Sequence, residues 1–261
     1  MDIYGILEKV RTQKPLVHHL TNWVTIYDCA NIVKVLGASP VMAHAKEESG
    51  DMAKLGSSLV LNIGTLTPDF IESMKVAAKS ANKKGIPVIL DVCGAGATPF
   101  RDEKSFELLD GVRIDVIKGN ASEIARIAGE NVQTKGVDSV DVEKDLIDIA
   151  RQLAEKRNAT VVITGKEDIV ADKDRHYIVK NGHELMAHVV GTGCMASSAI
   201  GTFCAVEKDL AKASVAALAC FGIAGELAAK ESKGPGSFKE SLYDNIYRLD
   251  KDTIEKMQRI E

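Results

Sequence analysis

The chain has 261 residues, 45% of them apolar and 27% charged, with a net charge of −4 at neutral pH. That slightly acidic balance and the 5% aromatic content exclude a broad nucleic-acid surface and base-stacking platforms. The five cysteines are odd in number and form no C-x-x-C, and no histidine cluster has zinc spacing, so a reduced, soluble, cytoplasmic protein is expected.

The opening residues Met1–Gly5 lack a basic region ahead of an apolar stretch, so no signal peptide is expected. The spacing predicts a short amphipathic helix over 2–13, an extended entry at Pro15–Val24, and a helix near 24–37 with Thr21 or Asn22 as N-cap. In an extended segment His18 and His19 point opposite ways, so at most one faces any site, and each reads as a structural histidine.

Strands are then expected at Ser39–His44, Leu59–Ile63, Pro87–Val92, Ile114–Lys118 and Thr160–Thr164, with helices over 46–56, 68–84, 102–110, 120–129 and 141–157. Runs such as Val88-Ile89-Leu90 and Val161-Val162-Ile163 are apolar without alternation, as in strands covered on both faces. The alternation implies βαβ units around a mostly parallel sheet, a three-layer α/β fold. Ile169–Ala171 and His176–Val179 read as an antiparallel hairpin around Asp172-Lys173-Asp174, and helices follow over 192–206, 209–231 and 237–259. The apolar run at 195–206 is too short to span a bilayer, and the one at 210–229 is broken by polar residues and glycines, so no membrane partner is expected. With no linker or repeat in view, residues 1–261 read as one domain.

Sites in open parallel sheets collect at the C-terminal ends of strands. Four loops of interest fall there: Gly64–Thr67, Asp91–Thr98, Lys118–Glu123 and Thr164–Lys166. A fifth feature is Val189-Val190-Gly191-Thr192-Gly193-Cys194, a glycine-flanked turn into an apolar helix. Its converging N–H groups and helix N-terminus suit an anion, with Cys194 as a candidate base at the rim. A tight turn with a buried, inert Cys194 explains the same residues equally well. Asp91, Asn120 and Glu123 would make an oxygen-rich place for magnesium. Asn120 and Glu123 equally match a capping box, the better reading of that pair alone. Lys118 is a candidate phosphate contact.

Gly191-x-Gly193-x-x-Ala196 matches a loose dinucleotide fingerprint, but no strand follows it, which excludes a nicotinamide site. A Walker A sequence is absent, so any ATP chemistry uses another architecture.

Taken in order, Pro15–Asn22, Gly37–His44, Leu61–Leu66, Gly94–Arg101, Gly119–Ile124 and Gly191–Cys194 resemble the hydroxyethylthiazole kinase family of the ribokinase-like superfamily. The resemblance implies ATP- and magnesium-dependent phosphorylation of the hydroxyl of 4-methyl-5-(2-hydroxyethyl)thiazole, a thiamine salvage step. It also implies a homotrimer with substrate pockets between subunits. Carried over by position, Met42 and Gly191 contact the thiazole, Lys118 and Thr164 contact ATP, and Asp91 and Glu123 order magnesium. Asn22 would reach the thiazole of a neighbouring subunit; Gly64 joins the substrate set and Asn120 the ATP set. Two departures stand out: Asp91-Val92-Cys93-Gly94 replaces the family's usual Asp-Pro-Val-Gly, and Lys118 replaces its usual Arg.

Gly191, Thr192, Gly193 and Cys194 are the expected catalytic group, their N–H groups meeting charge on the transferring phosphoryl. Cys194 stands where related sugar kinases carry an aspartate. An ordinary thiol is only about 3% ionised at pH 7, so it is a weaker base than Asp. Phosphorylation of a hydroxymethylpyrimidine or a sugar, or a thiazole sensor without catalysis, are the alternatives.

Overall fold

The computed structural model describes residues 1–130 and 146–261, and an eight-stranded sheet runs through its centre. After α1 (Ile3–Gln13), the extended entry is a true strand, β1 (Leu16–Leu20). There follow α2 (Ile26–Val35), β2 (Ser39–Val41), α3 (Lys46–Leu55), β3 (Ser58–Asn62), α4 (Pro68–Lys84), β4 (Val88–Asp91) and α5 (Pro99–Gly111). Next come β5 (Val116–Asn120), α6 (Ala121–Ala128), α7 (Leu146–Arg157), β6 (Thr160–Thr164), β7 (Asp168–Ala171) and β8 (His176–Val179). A 3₁₀ turn (Glu184–His188) leads into α8 (Thr192–Cys204), α9 (Leu210–Glu231), α10 (Pro235–Arg248) and α11 (Lys251–Met257).

The strand order is β2-β1-β3-β4-β5-β6-β7-β8. Every pairing from β2 to β6 is parallel, and β7 and β8 form the expected antiparallel hairpin.

Side chains alternate across a strand, and here the alternation divides the core in two. Val17, Val60, Ile89, Val116 and Val162 pack with α1, α2 and α8–α11. Leu59, Leu61, Val88, Leu90, Ile117, Val161 and Ile163 pack with α3–α7 on the other face. Three layers result, as the alternation predicts. α9 is long and apolar enough to cross a bilayer, but 78% of its most apolar window is buried in the fold, where it packs beside α8 and α10.

Several boundaries differ from expectation. β2 stops at Val41 rather than His44. α5 starts at Pro99, because Thr98 Oγ1 accepts the Arg101 N–H and proline suits the first helical position. Neither Thr21 nor Asn22 caps α2: Thr25 is the N-cap residue, and Asn22 Oδ1 accepts both the N–H and Oγ1–H of Thr25 in the preceding turn. The single helix expected over 237–259 is two. The Arg11 guanidinium takes up the carbonyls of Ile246, Tyr247 and Leu249, and Asp250 then caps α11. Of the helix expected over 141–157, the part at 141–145 lies outside the described residues.

Candidate active site

Asn62, Asp91 and Lys118 lie side by side on β3, β4 and β5, as successive register partners. Each follows by two residues an apolar side chain packed toward α8 and α9: Val60, Ile89 and Val116. The period of two therefore turns all three polar groups to that same face, where the strands end. α8 begins over them.

Gly191 starts α8 in the left-handed region, with φ +91°, and a Cβ there would stand 2.4 Å from Thr25 Cγ2. Only glycine fits. The helix has no side-chain cap, and its first turn closes with Met195 N–H on Gly191 O at 2.8 Å. The N–H groups of Thr192, Gly193 and Cys194 precede that bond at the uncapped helix start, where backbone donors suit an anion. The Thr192 hydroxyl turns away from this opening and donates to Met186 O at 2.9 Å. Lys118 Nζ lies so close to Gly193 that a Cβ there would sit 3.2 Å from it.

Asp91 is 1% exposed. Its Oδ2 accepts from Ser197 Oγ (2.7 Å), Asn62 Nδ2 (2.9 Å) and Lys118 Nζ (3.4 Å). Its Oδ1 is buried without a partner. Burial alone would lower the Lys118 pKa, yet Asp91, Cys194, Glu123 and Cys93 around it leave the ammonium well above its ordinary value. Lysine here is a fixed positive charge.

Glu123 forms the capping box with Asn120 that the spacing predicts. One carboxylate oxygen accepts the Asn120 N–H at 2.8 Å and the other the Gly94 N–H at 2.7 Å. Burial first, then the Asp91 charge, raises its pKa, against the pull of Lys118 and those two N–H groups. Among the described residues no three His, Cys, Asp or Glu side chains converge as a metal cage. The unpartnered Asp91 Oδ1 suits magnesium held mostly by water and phosphate, with one or two carboxylates.

Cys194 is half-buried at the first turn of α8. Its sulfur accepts from Asn22 Nδ2 and Asn62 Nδ2, each at 3.3 Å. Interaction with the neighbouring Cys93 thiol is the main cause that lowers its pKa, to about 7. Burial and Asp91 oppose the shift, while Lys118 and Thr25 assist it. Cys93 is pushed far upward by Cys194, burial and the Asp91 charge. The lowering makes Cys194 more readily ionised at neutral pH than an ordinary thiol.

Beneath this group His19 is fully buried, Nε2 paired with Ser198 Oγ at 3.1 Å, while His18 faces the other way onto Ala43 O. The two rings point opposite ways, as their alternation predicts. Gly64 donates its N–H to Asn62 Oδ1, Thr164 Oγ1 reaches Gly119 O from the end of β6, and Met42 stands just past β2, at the sheet edge. Thus Asn22, Asp91, Lys118, Gly193 and Cys194 converge, with Gly64, Asn120, Glu123 and Thr164 around them; Met42 is farther out.

Sequence reasoning missed Asn62, Ser197 and Arg101. Asn62 had a signal, since it follows Val60 as Asp91 follows Ile89. Arg101 clamps the loops after β3 and β4 through the carbonyls of Ile63, Gly64 and Cys93. Cavity size is no guide here: a depression of about 520 Å³ lined by Asp115, Arg175 and Asp209 lies at the opposite end of the strands.

The layers, the strand order and the anion-binding helix start over a carboxylate and a lysine define a ribokinase-like α/β kinase. The sequence model of the Hydroxyethylthiazole kinase family matches residues 7–252. The hydroxyethylthiazole kinase of Methanosarcina mazei is 56% identical over 255 residues, 98% of each chain. The hydroxyethylthiazole kinase structure from Pyrococcus horikoshii OT3 superposes with a TM-score of 0.92 at 42% identity, covering 99% of this chain and 98% of that one. An ADP complex of Bacillus subtilis pyridoxal kinase, at 16% identity and TM-score 0.61 over 81% of this chain and 91% of that one, shares the fold. The chain belongs to the hydroxyethylthiazole kinase family.

Proposed function

We propose that this protein transfers the terminal phosphoryl group of ATP, with magnesium, to the hydroxyl of 4-methyl-5-(2-hydroxyethyl)thiazole, a thiamine salvage step. The observation that carries the reading is the uncapped start of α8 set over the Asp91–Lys118 pair, with an acceptor sulfur at its rim. Phosphoryl transfer needs positioning and charge neutralisation more than covalent help.

The residues divide the work by charge. N–H groups of Thr192, Gly193 and Cys194, together with Lys118, meet negative charge on the transferring group. Cys194 Sγ orients the alcohol and takes its proton as the oxygen attacks. Asn120 and Thr164, at the ends of β5 and β6, lie on the ATP side. Gly64, Gly191, Asn22 and Met42 are assigned to the thiazole side. Asp91, through its unpartnered Oδ1, and Glu123 would hold magnesium through its waters. When bound, that ion neutralises phosphate charge.

The same reading takes 1–261 as one domain and the assembly as a homotrimer with shared active sites. Trp23, Val24 and Tyr27 support it: all three are exposed on the segment that follows β1 beside Asn22. Light scattering after gel filtration tests the trimer.

The reaction is tested by magnesium-dependent ADP release with the hydroxyethylthiazole, hydroxymethylpyrimidine or ribose as acceptor. ADP release only with the thiazole, together with the phosphorylated thiazole, is expected. Release with another alcohol would replace the substrate, and thiazole binding without release would make the protein a sensor.

A further inference from the structure

Asn62 connects two groups that the proposed reaction uses separately. It is 1% exposed, at the last position of β3. Its Nδ2 donates to Asp91 Oδ2 at 2.9 Å and to Cys194 Sγ at 3.3 Å. Its Oδ1 accepts from Asn22 Nδ2 and from Gly64 N–H, each at 2.9 Å. No donor or acceptor position is left over.

The orientation of this carboxamide is forced. Gly64 N–H only donates and the Asp91 carboxylate only accepts, so exchanging the two ends of Asn62 would break both bonds. Asn22 is fixed in the same way, because its Oδ1 accepts the Thr25 N–H at 3.1 Å and leaves Nδ2 for the sulfur. Two carboxamide N–H groups therefore aim at one sulfur. The pair presents Cys194 as an acceptor, which is what a proton-taking group must be.

We infer that Asn62 is a positioning residue for phosphoryl transfer. It holds the Cys194 sulfur as an acceptor while tying down Asp91 Oδ2, so that the proton-accepting sulfur and the phosphate-facing carboxylate keep one fixed relation. The catalytic half of this inference rests on the kinase reading above; the hold on Cys194 does not. Aspartate has the right shape for the position but sets an oxygen against Asp91 Oδ2 and the sulfur, where donors are needed.

The test is Asn62→Asp, read by steady-state kinetics, thermal unfolding and iodoacetamide alkylation of Cys194 followed by peptide mass spectrometry. A kcat lower by about 100-fold is expected, with KM for ATP and thiazole within about twofold of wild type. Cys194 alkylation at pH 7 should slow by about tenfold, since a donor to the thiolate has become a negative charge. Wild-type kcat and alkylation in the folded variant would overturn the inference. A second measurement needs no change at position 62. In ¹⁵N-asparagine-labelled protein the Asn62 side-chain amide signal should move on Cys194→Ala, and an unmoved signal overturns the inference too. If the wild-type protein releases no ADP with the thiazole, the kinase reading fails by itself, while alkylation and the amide signal still decide the hold on Cys194.

Discussion

Lys118 Nζ lies 3.4 Å from Asp91 Oδ2, and both side chains are buried, at 5% and 1% exposure. They occupy directly paired positions on neighbouring strands, so neither can leave the other without breaking the ladder. Removing one member of a buried pair leaves an uncompensated charge, whose cost exceeds the value of the pair itself. Lys118→Met should lower unfolding free energy by about 3–5 kcal/mol in urea titrations, and Lys118→Arg by less than half of that. Equal losses would show that volume, not charge, matters there.

The pH dependence of turnover should report Cys194. With its pKa held at about 7, kcat/KM should rise through that pH to a plateau, because the ionised sulfur takes the proton. The Cys93 thiol is the largest cause of the lowering, so Cys93→Val should move the limb upward toward the ordinary thiol range. Cys194→Asp, ionised throughout the neutral range, should abolish it. A limb unmoved by Cys93→Val would separate Cys194 from the pH dependence.

His19 makes the fold sensitive to acid. Burial first, with His18 adding to it and the Val17 carbonyl opposing, lowers its pKa from 6.5 to about 4. The unfolded chain binds the proton more readily, so stability is full above about 6.5 and is lost as pH falls toward about 4. The loss amounts to about 3 kcal/mol. His19→Gln, which cannot titrate, should flatten the urea midpoint between pH 7 and pH 4.5. A slope as steep as wild type would place the acid sensitivity elsewhere.

At Gly191 two obstacles to a side chain coincide, the positive φ and the Thr25 methyl group. Gly191→Ala should cost about 1–3 kcal/mol from the backbone alone and shift the start of α8, with turnover falling more than stability. Adding Thr25→Ser removes the methyl group and should recover part of the turnover, but not the backbone strain. No recovery would mean that the Thr25 contact is irrelevant.

Much of this architecture was legible because its causes are local. Apolar runs of strand length, as at 161–163, declare strands covered on both faces. The capping box of Asn120 and Glu123 is set by a spacing of three residues. Glycines around Thr192 announced the turn into α8. The end of α10 was illegible for the opposite reason: the group that satisfies its last carbonyls is Arg11, from the other end of the chain.

What the sequence alone determined is the class of fold, the end of the sheet where chemistry gathers, and the residue types available there. Only the tertiary structure decided how they combine. Asn22 meets Cys194 across 172 positions, and Asn62 meets Asp91 across 29. Such contacts depend on β1, β3, β4 and β5 lying side by side in register, which neither periodicity nor propensity encodes. The neighbours that keep Lys118 charged and lower the Cys194 pKa against the effect of burial meet only when the layers close over those strand ends. A side chain's acidity belongs to its surroundings, and those exist only once the chain has folded.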